Sequence, residues 1–71
     1  MDVTDKLENG DEVSWETSQG TTQGTVVRRQ TTPTRIGRHK VAASPDNPEY
    51  IVRSDKSGKE AAHKPDSLRK R

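Results

Sequence analysis

The sequence predicts an all-β fold, a small barrel of about five short strands with a short 3-10 or helical turn near the C-terminus. Two patterns support this prediction: short stretches in which apolar and polar residues alternate, and turn-forming residues that recur about every 8 to 12 positions. The composition agrees, because Val, Ile and Leu supply only ten of the 71 residues and Phe is absent. The narrow interior of a small barrel can be filled by a few large side chains.

The low apolar content also bears on whether the chain is ordered. Ten residues are about 14% of the chain, below the roughly 20% at which disorder becomes common. However, 13 basic and 11 acidic residues leave a net charge of only +2, whereas disordered chains usually carry a high net charge. We therefore expect one ordered domain of modest stability.

The first two strands are predicted in the N-terminal half. Residues 11–16 form a strand in which Val13 and Trp15 share one face, because alternate residues of a strand point the same way. Residues 18–23 are polar and are predicted to form a loop. Residues 25–30 then form the second strand.

The middle of the chain is predicted to be its longest loop. Residues 31–40 are rich in Thr, Pro, Arg, Gly and His, with Ile36 as the only large apolar side chain. A short strand over residues 40–43 follows. It is ended by a segment that contains Pro45 and Pro48, which cannot donate backbone hydrogen bonds to a sheet.

A hairpin is predicted near the C-terminus. The side chains of residues 50–54 alternate between two faces, as in a strand. Gly58 belongs to a turn-forming segment that precedes a second strand over residues 60–64. Pro65 ends that strand, and Leu68 returns as an apolar plug below the 3-10 or helical turn.

These elements define the expected domain organisation. Residues 1–9 form a flexible lead, residues 10–68 the barrel domain and residues 69–71 a frayed basic tail. The predicted core consists of the large side chains on inward strand positions and the plug: Val13, Trp15, Val26, Tyr50, Val52 and Leu68.

The residue types that the chain lacks exclude several classes of function. Without cysteine there is neither a disulfide nor a thiolate metal site. His39 and His63 are the only histidines and do not have metal-ligand spacing, so we expect no metal and no cofactor. No apolar run reaches the roughly 18 residues of a membrane span, and no signal-peptide pattern opens the chain. We expect a cytoplasmic monomer that does not act at a membrane.

Several motifs, in this order and spacing, resemble one known family. Residues 10–15 read GDEVSW, residues 24–27 GTVV, residues 54–59 SDKSGK and residues 61–65 AAHKP, followed by Leu68. The combination is similar to the hypervirulence-associated Tudor-like domain family. This resemblance implies an SH3-like, Tudor-type barrel. It implies little about activity, since a fold does not define a function.

The sequence provides little basis for a catalytic site or for a methyl-lysine binding site. A methyl-lysine cage needs several aromatic rings, and Trp15 and Tyr50, the only two aromatics, are both expected in the core. The candidate catalytic set is a serine, an acid and a base on a polar hairpin with no pocket to exclude water: Ser54, Ser57, Asp55 and His63. We therefore predict no enzymatic activity. We interpret His63 as a structural residue that forms a local hydrogen bond.

The remaining candidate is a run of positive charge without any acidic residue between positions 28 and 40. Its five basic residues are the predicted nucleic-acid contacts: Arg28, Arg29, Arg35, Arg38 and Lys40. Without exposed aromatics for base stacking, such binding would be weak, salt-sensitive and indifferent to sequence. The competing interpretation, which the missing aromatics favour, is a solvated loop whose charge keeps the chain soluble.

Three functions therefore stay open at the level of sequence. The leading interpretation is a non-catalytic binding module whose ligand, protein or nucleic acid, is unknown. The alternative is an accessory protein that binds nucleic acid weakly through residues 28–40. A third is a protein that offers a strand edge to a partner chain.

Overall fold

The computed structural model describes residues 7–71, which form seven β-strands and one 3-10 turn. The predicted all-β fold with a short 3-10 turn near the C-terminus is therefore confirmed. In chain order the elements are β1 (Glu12–Thr17), β2 (Gly20–Gln30), β3 (Thr34–Ile36), β4 (His39–Val41), β5 (Glu49–Ser54), β6 (Glu60–His63), the 3-10 turn (Pro65–Ser67) and β7 (Arg69–Lys70).

Five of the strands form one antiparallel sheet in the order β6-β5-β2-β1-β7, and β3 pairs with β4 in a separate two-stranded sheet. Strand β2 is the longest, and its two halves pair with different partners: the first with β1 and the second with β5. This strand starts at Gly20, so the prediction of a loop over residues 18–23 holds for Ser18 and Gln19, which connect β1 to β2, and was wrong for residues 20–23. Thr21 and Thr22 suit a strand, because Thr is β-branched.

A β-bulge bends β2 at its middle. The register with β5 shifts between Val26 and Arg28, so Val27 has no direct partner. Val26 is buried, whereas Val27 is only half-buried. The bulge therefore accounts for the two adjacent valines, since a bulge inserts one extra residue and increases the local twist.

The sheet curls strongly over its core. The rings of Trp15 on β1 and His63 on β6 have centroids 5.2 Å apart, although two strands separate β1 from β6 in the sheet. In a flat sheet these strands would lie about 14 Å apart, since neighbouring strands are spaced by about 4.8 Å. The curl is what makes this sheet a small barrel, with β6 and β7 as its edges.

All six side chains predicted for the core are buried. They form one cluster together with Leu7, which lies within the stretch 1–9 predicted as a flexible lead. The Leu7 backbone N–H also donates to the Tyr50 hydroxyl at 3.4 Å, so Leu7 belongs to the folded domain. Residues 1–6 of that lead lie outside the described part of the chain.

Three buried apolar residues outside this cluster escaped sequence-based prediction. They are Val41, Ala43 and Ile51. Ile51 lies on the opposite face of β5 from Tyr50 and Val52, and all three are buried. Strand β5 is therefore covered on both faces, which explains why its run of three large side chains does not alternate with polar residues.

The C-terminal residues do not fray as predicted. Arg69 and Lys70 pair with β1 as strand β7, and the Arg71 backbone N–H donates to the Glu12 carbonyl at 2.8 Å. Lys70 forms an ion pair with Asp11 at 3.6 Å. The buried Leu68 anchors the segment beside β1, so the backbone that follows it finds partners at the sheet edge.

Candidate functional site

The segment predicted as the longest loop contains a β-hairpin. Strands β3 and β4 pair in the register Thr34↔Val41, Arg35↔Lys40 and Ile36↔His39, with Gly37 and Arg38 as the two turn residues. Gly37 has φ 58°, the left-handed conformation that the tight turns of two-residue hairpins require. The predicted loop over residues 31–40 was therefore wrong in this part. The predicted strand over 40–43 coincides with β4 only at Lys40 and Val41, and residues 42–43 are not in a strand.

The two faces of this hairpin differ in exposure and charge. Arg35 and Lys40 are directly opposite each other and both are exposed. On the other face Ile36 is half-buried, and it lines a groove of about 250 Å³ between the hairpin and β6. We call the face that carries Arg35 and Lys40, together with Arg38 in the turn, the basic face.

The five predicted nucleic-acid contacts are all exposed, and they are divided between the two sheets. Arg35, Arg38 and Lys40 belong to the hairpin, whereas Arg28 and Arg29 lie on β2 and pair with β5. The guanidinium Nε of Arg28 donates to the Gln30 side chain at 3.0 Å. The basic face is therefore a site of three residues, with the two β2 arginines in another sheet.

None of the ion pairs within residues 7–71 involves the basic face. Those pairs join Asp11, Glu12, Asp55 and Glu60 to Arg53, Lys70 and Arg71. The sequence explains this arrangement, since no Asp or Glu occurs from position 28 to position 45. Within residues 7–71, the positive charge of the basic face therefore has no acidic partner.

Placing like charges directly opposite each other destabilises a hairpin by a few tenths of a kcal/mol. Arg35 and Lys40 occupy such a cross-strand pair in a two-stranded sheet, where no third strand adds stability. Opposite charges on the edge pair Arg53 and Glu60 of the main sheet, by contrast, approach to 3.5 Å. The hairpin therefore sets two positive charges opposite each other, whereas this edge of the main sheet pairs a positive charge with a negative one.

Neither aromatic side chain is available as a binding surface. Trp15 is 6% exposed and Tyr50 is 1% exposed. The described residues therefore contain no aromatic cage for a methylated side chain, which needs several ring faces around the cation.

His63 packs against the core rather than forming the local hydrogen bond predicted for it. Its ring lies against Trp15 at an interplanar angle of 39°, and no side-chain hydrogen bond to it is found among the described residues. Burial lowers the pKa of His63 below its ordinary value; Glu49 opposes this shift, and His39 adds to it. The imidazole is therefore held neutral as part of the packing.

Acidification should destabilise the fold through His63. Because its pKa is lower in the folded than in the unfolded chain, the stability is fully present above the unfolded pKa of about 6.5 and is lost as the pH falls from there through the folded pKa. Urea unfolding at about pH 8 and about pH 5.5 should show this loss. His63→Gln should remove the histidine part of it, and the matched variant His39→Gln should keep most of it. An equal loss in the parent and in His63→Gln would contradict this assignment.

The groups that sequence reasoning weighed for catalysis and metal binding do not converge. The Ser54 hydroxyl accepts from the Ser57 N–H at 3.4 Å, and the Ser57 hydroxyl accepts from the Lys59 N–H at 3.2 Å, so both serve the β5–β6 turn. Within the described residues, no three His, Asp or Glu side chains come together.

No helix in the described part of the chain is long and apolar enough to span a membrane.

The curled antiparallel sheet, the single core cluster and the projecting basic hairpin define a small Tudor-like or SH3-like barrel of the binding-module class. A family model described as "Hypervirulence associated proteins TUDOR domain" matches residues 10–68. The match covers most of the chain, so the protein belongs to this family, as its motifs predicted. Searches of curated proteins and of solved structures returned no match to the chain.

Proposed function

We propose that this protein is a non-catalytic binding module and that the basic face of the β3–β4 hairpin is its binding surface. The ligand that this surface fits is the phosphate backbone of a nucleic acid. The observation that carries the proposal is the exposed cross-strand pair Arg35 and Lys40, which has no acidic partner among the described residues.

A bound polyanion would remove the repulsion between Arg35 and Lys40 that the free protein retains. Arg35 and Lys40 repel each other in the hairpin, and a phosphate between or beside them would attract both. Basic side chains that neutralise phosphates also release condensed counterions, which drives association at low salt. The like-charge pair is therefore unfavourable for the free hairpin and favourable for a hairpin bound to a polyanion.

The same geometry limits the affinity and the specificity. The three cations of the basic face can contact only a few phosphates, so the affinity should fall in the weak range of non-specific binding, with Kd of about 1 to 100 μM. Arg35, Arg38 and Lys40 are exposed cations, and we expect them to contact phosphates rather than base edges. Phosphate contacts carry no sequence information, and we expect similar binding to all sequences.

Neutralising the hairpin pair should weaken binding without harming the fold. The double variant Arg35→Gln/Lys40→Gln should bind less tightly to every sequence, and the slope of log affinity against log salt should flatten by about 0.9 for each phosphate that is no longer neutralised. Its free energy of unfolding should be equal to the parent's or a few tenths of a kcal/mol higher, because the repulsion is gone. Fluorescence anisotropy with labelled DNA and urea unfolding measure the two quantities.

The matched control is Lys56→Gln/Lys59→Gln. It likewise removes two positive charges, here from exposed positions of the β5–β6 turn, outside the hairpin. This control should keep at least most of the parent's affinity. Equal losses of affinity in the two double variants would show that only net charge matters, and the basic face would then not be the site.

A further inference from the structure

We infer that the preferred ligand of the basic face is double-stranded, so that duplexes bind more tightly than single strands of the same sequence. This inference rests on the proposed function and adds the class of nucleic acid to it. Two features of the fold support this inference: the aromatic side chains are buried, and the basic side chains of the hairpin lie close together.

Single strands gain much of their affinity by stacking bases on aromatic side chains, at about 1–3 kcal/mol per base. This protein has only Trp15 and Tyr50, and both are buried in the core. His63 is half-buried against Trp15. Among the described residues, the ring nearest the basic face in sequence is His39, which pairs with Ile36 and so lies on the opposite face of the hairpin from Arg35 and Lys40. Unstacked bases would therefore find no ring beside the cations.

Without stacking, affinity depends on the charge density that the ligand presents. A duplex carries one phosphate per about 1.7 Å of axis when both strands are counted, and about 3.4 Å per strand, so its charge density is twice that of one of its strands. The side chains of a directly opposed pair start about 5 Å apart, and Arg38 lies only two positions from Lys40 in the adjoining turn. Such a compact group of cations gains most from the ligand with the denser charge.

The rigidity of the site acts in the same direction. The hairpin is anchored on one side, since Val41 is buried, Ile36 is half-buried and β3 lies beside β6, so its cations are carried by ordered backbone. A flexible single strand must lose conformational freedom to follow such a surface, whereas a duplex is already ordered. Both the charge density and the ordering cost therefore favour the duplex.

The test is a set of anisotropy titrations at low salt with three labelled probes of about 20 nucleotides per strand, long enough to exceed the footprint of three cations. They are a DNA duplex, one of its strands chosen to be free of self-pairing, and an RNA duplex of the same sequence. The DNA duplex should bind at least about fivefold more tightly than the single strand, with the steeper salt slope, about 0.9 against 0.7 per neutralised phosphate. The RNA duplex should also bind more tightly than the single strand.

The outcomes separate this inference from the proposed function. If the single strand binds as tightly as the duplexes or more tightly, the duplex preference is overturned while nucleic-acid binding stands. If no probe binds at about 100 μM protein, the weak end of non-specific affinities, the proposed function itself fails. If the DNA and RNA duplexes bind with different affinities, the tighter one is the preferred type of duplex. That duplex must still bind more tightly than the single strand for the inference to hold.

The hairpin variant links the preference to the basic face. Arg35→Gln/Lys40→Gln should reduce the affinity for the duplex more than that for the single strand, so the ratio of the two dissociation constants should approach one. Lys56→Gln/Lys59→Gln should keep the parent's ratio. A ratio unchanged in the hairpin variant would overturn the assignment of the duplex preference to this face.

Discussion

Trp15→Ala should lower the free energy of unfolding by about 3–5 kcal/mol, the range found for truncating a large buried aromatic side chain. Trp15 is 6% exposed, belongs to the core cluster and carries the ring against which His63 packs. The chain has only one other aromatic residue and few large aliphatic ones, so no neighbour can fill the space. A loss of this size is comparable to the whole stability of a domain of this length.

Urea or thermal unfolding measures this loss directly. For a domain of about 70 residues, 3 kcal/mol corresponds to a fall in Tm of at least about 12 °C. Trp15→Phe is the matched variant, because it keeps a buried ring and should retain a substantial part of the stability. If Trp15→Ala melts within a few degrees of the parent, Trp15 does not contribute to the core as the structure places it.

Gly24→Ala should destabilise the fold by about 1–3 kcal/mol, the usual range for overpacking. A Cβ at position 24 would overlap the backbone carbonyl oxygen of Arg53 on the paired strand β5 and would lie 2.6 Å from the far edge of the Trp15 ring. Gly24 does not have a positive φ, so the requirement for glycine comes from the close approach of its neighbours. The backbone of a paired strand cannot move away without breaking its own hydrogen bonds.

Chemical unfolding of three further variants isolates the cause. Gln23→Ala changes the exposed neighbour of Gly24 on the same strand and should alter the stability by no more than about 0.5 kcal/mol. In a Trp15→Phe background the effect of Gly24→Ala should be smaller, since the ring edge that meets the new methyl group is gone. This non-additivity is the signature of direct contact. Strict additivity would leave the Arg53 carbonyl as the sole obstacle and would contradict the part assigned to Trp15.

The core was predictable because it depends on local patterns. Val13 and Trp15 alternate on β1, and Tyr50 and Val52 alternate on β5. The strand period alone places each pair on one face. Leu7 was not predictable in this way, because it stands alone among polar residues and is buried only through long-range packing on the curled sheet.

The candidate site was predictable in composition but not in shape. The absence of acids around Arg35, Arg38 and Lys40 is visible in the sequence, whereas their arrangement depends on a hairpin of three-residue strands. Such strands are too short to show a periodic pattern. The signal that could have indicated the hairpin is Gly37 followed by Arg38 between Ile36 and Val41, a two-residue turn flanked by apolar residues.

The all-β class, the inward faces of β1 and β5, the local excess of positive charge and the family of the chain all follow from the residues without a structure. Only the folded chain establishes that β7 completes the sheet beside β1, that Trp15 meets His63 across the core, and that Arg35 faces Lys40 while Arg28 and Arg29 belong to the other sheet. The physical reason is the range of the interactions. Alternation, turns and charge runs are properties of neighbouring residues, whereas strand order, curl and the meeting of side chains depend on contacts between distant segments, whose closure is not encoded in any local pattern.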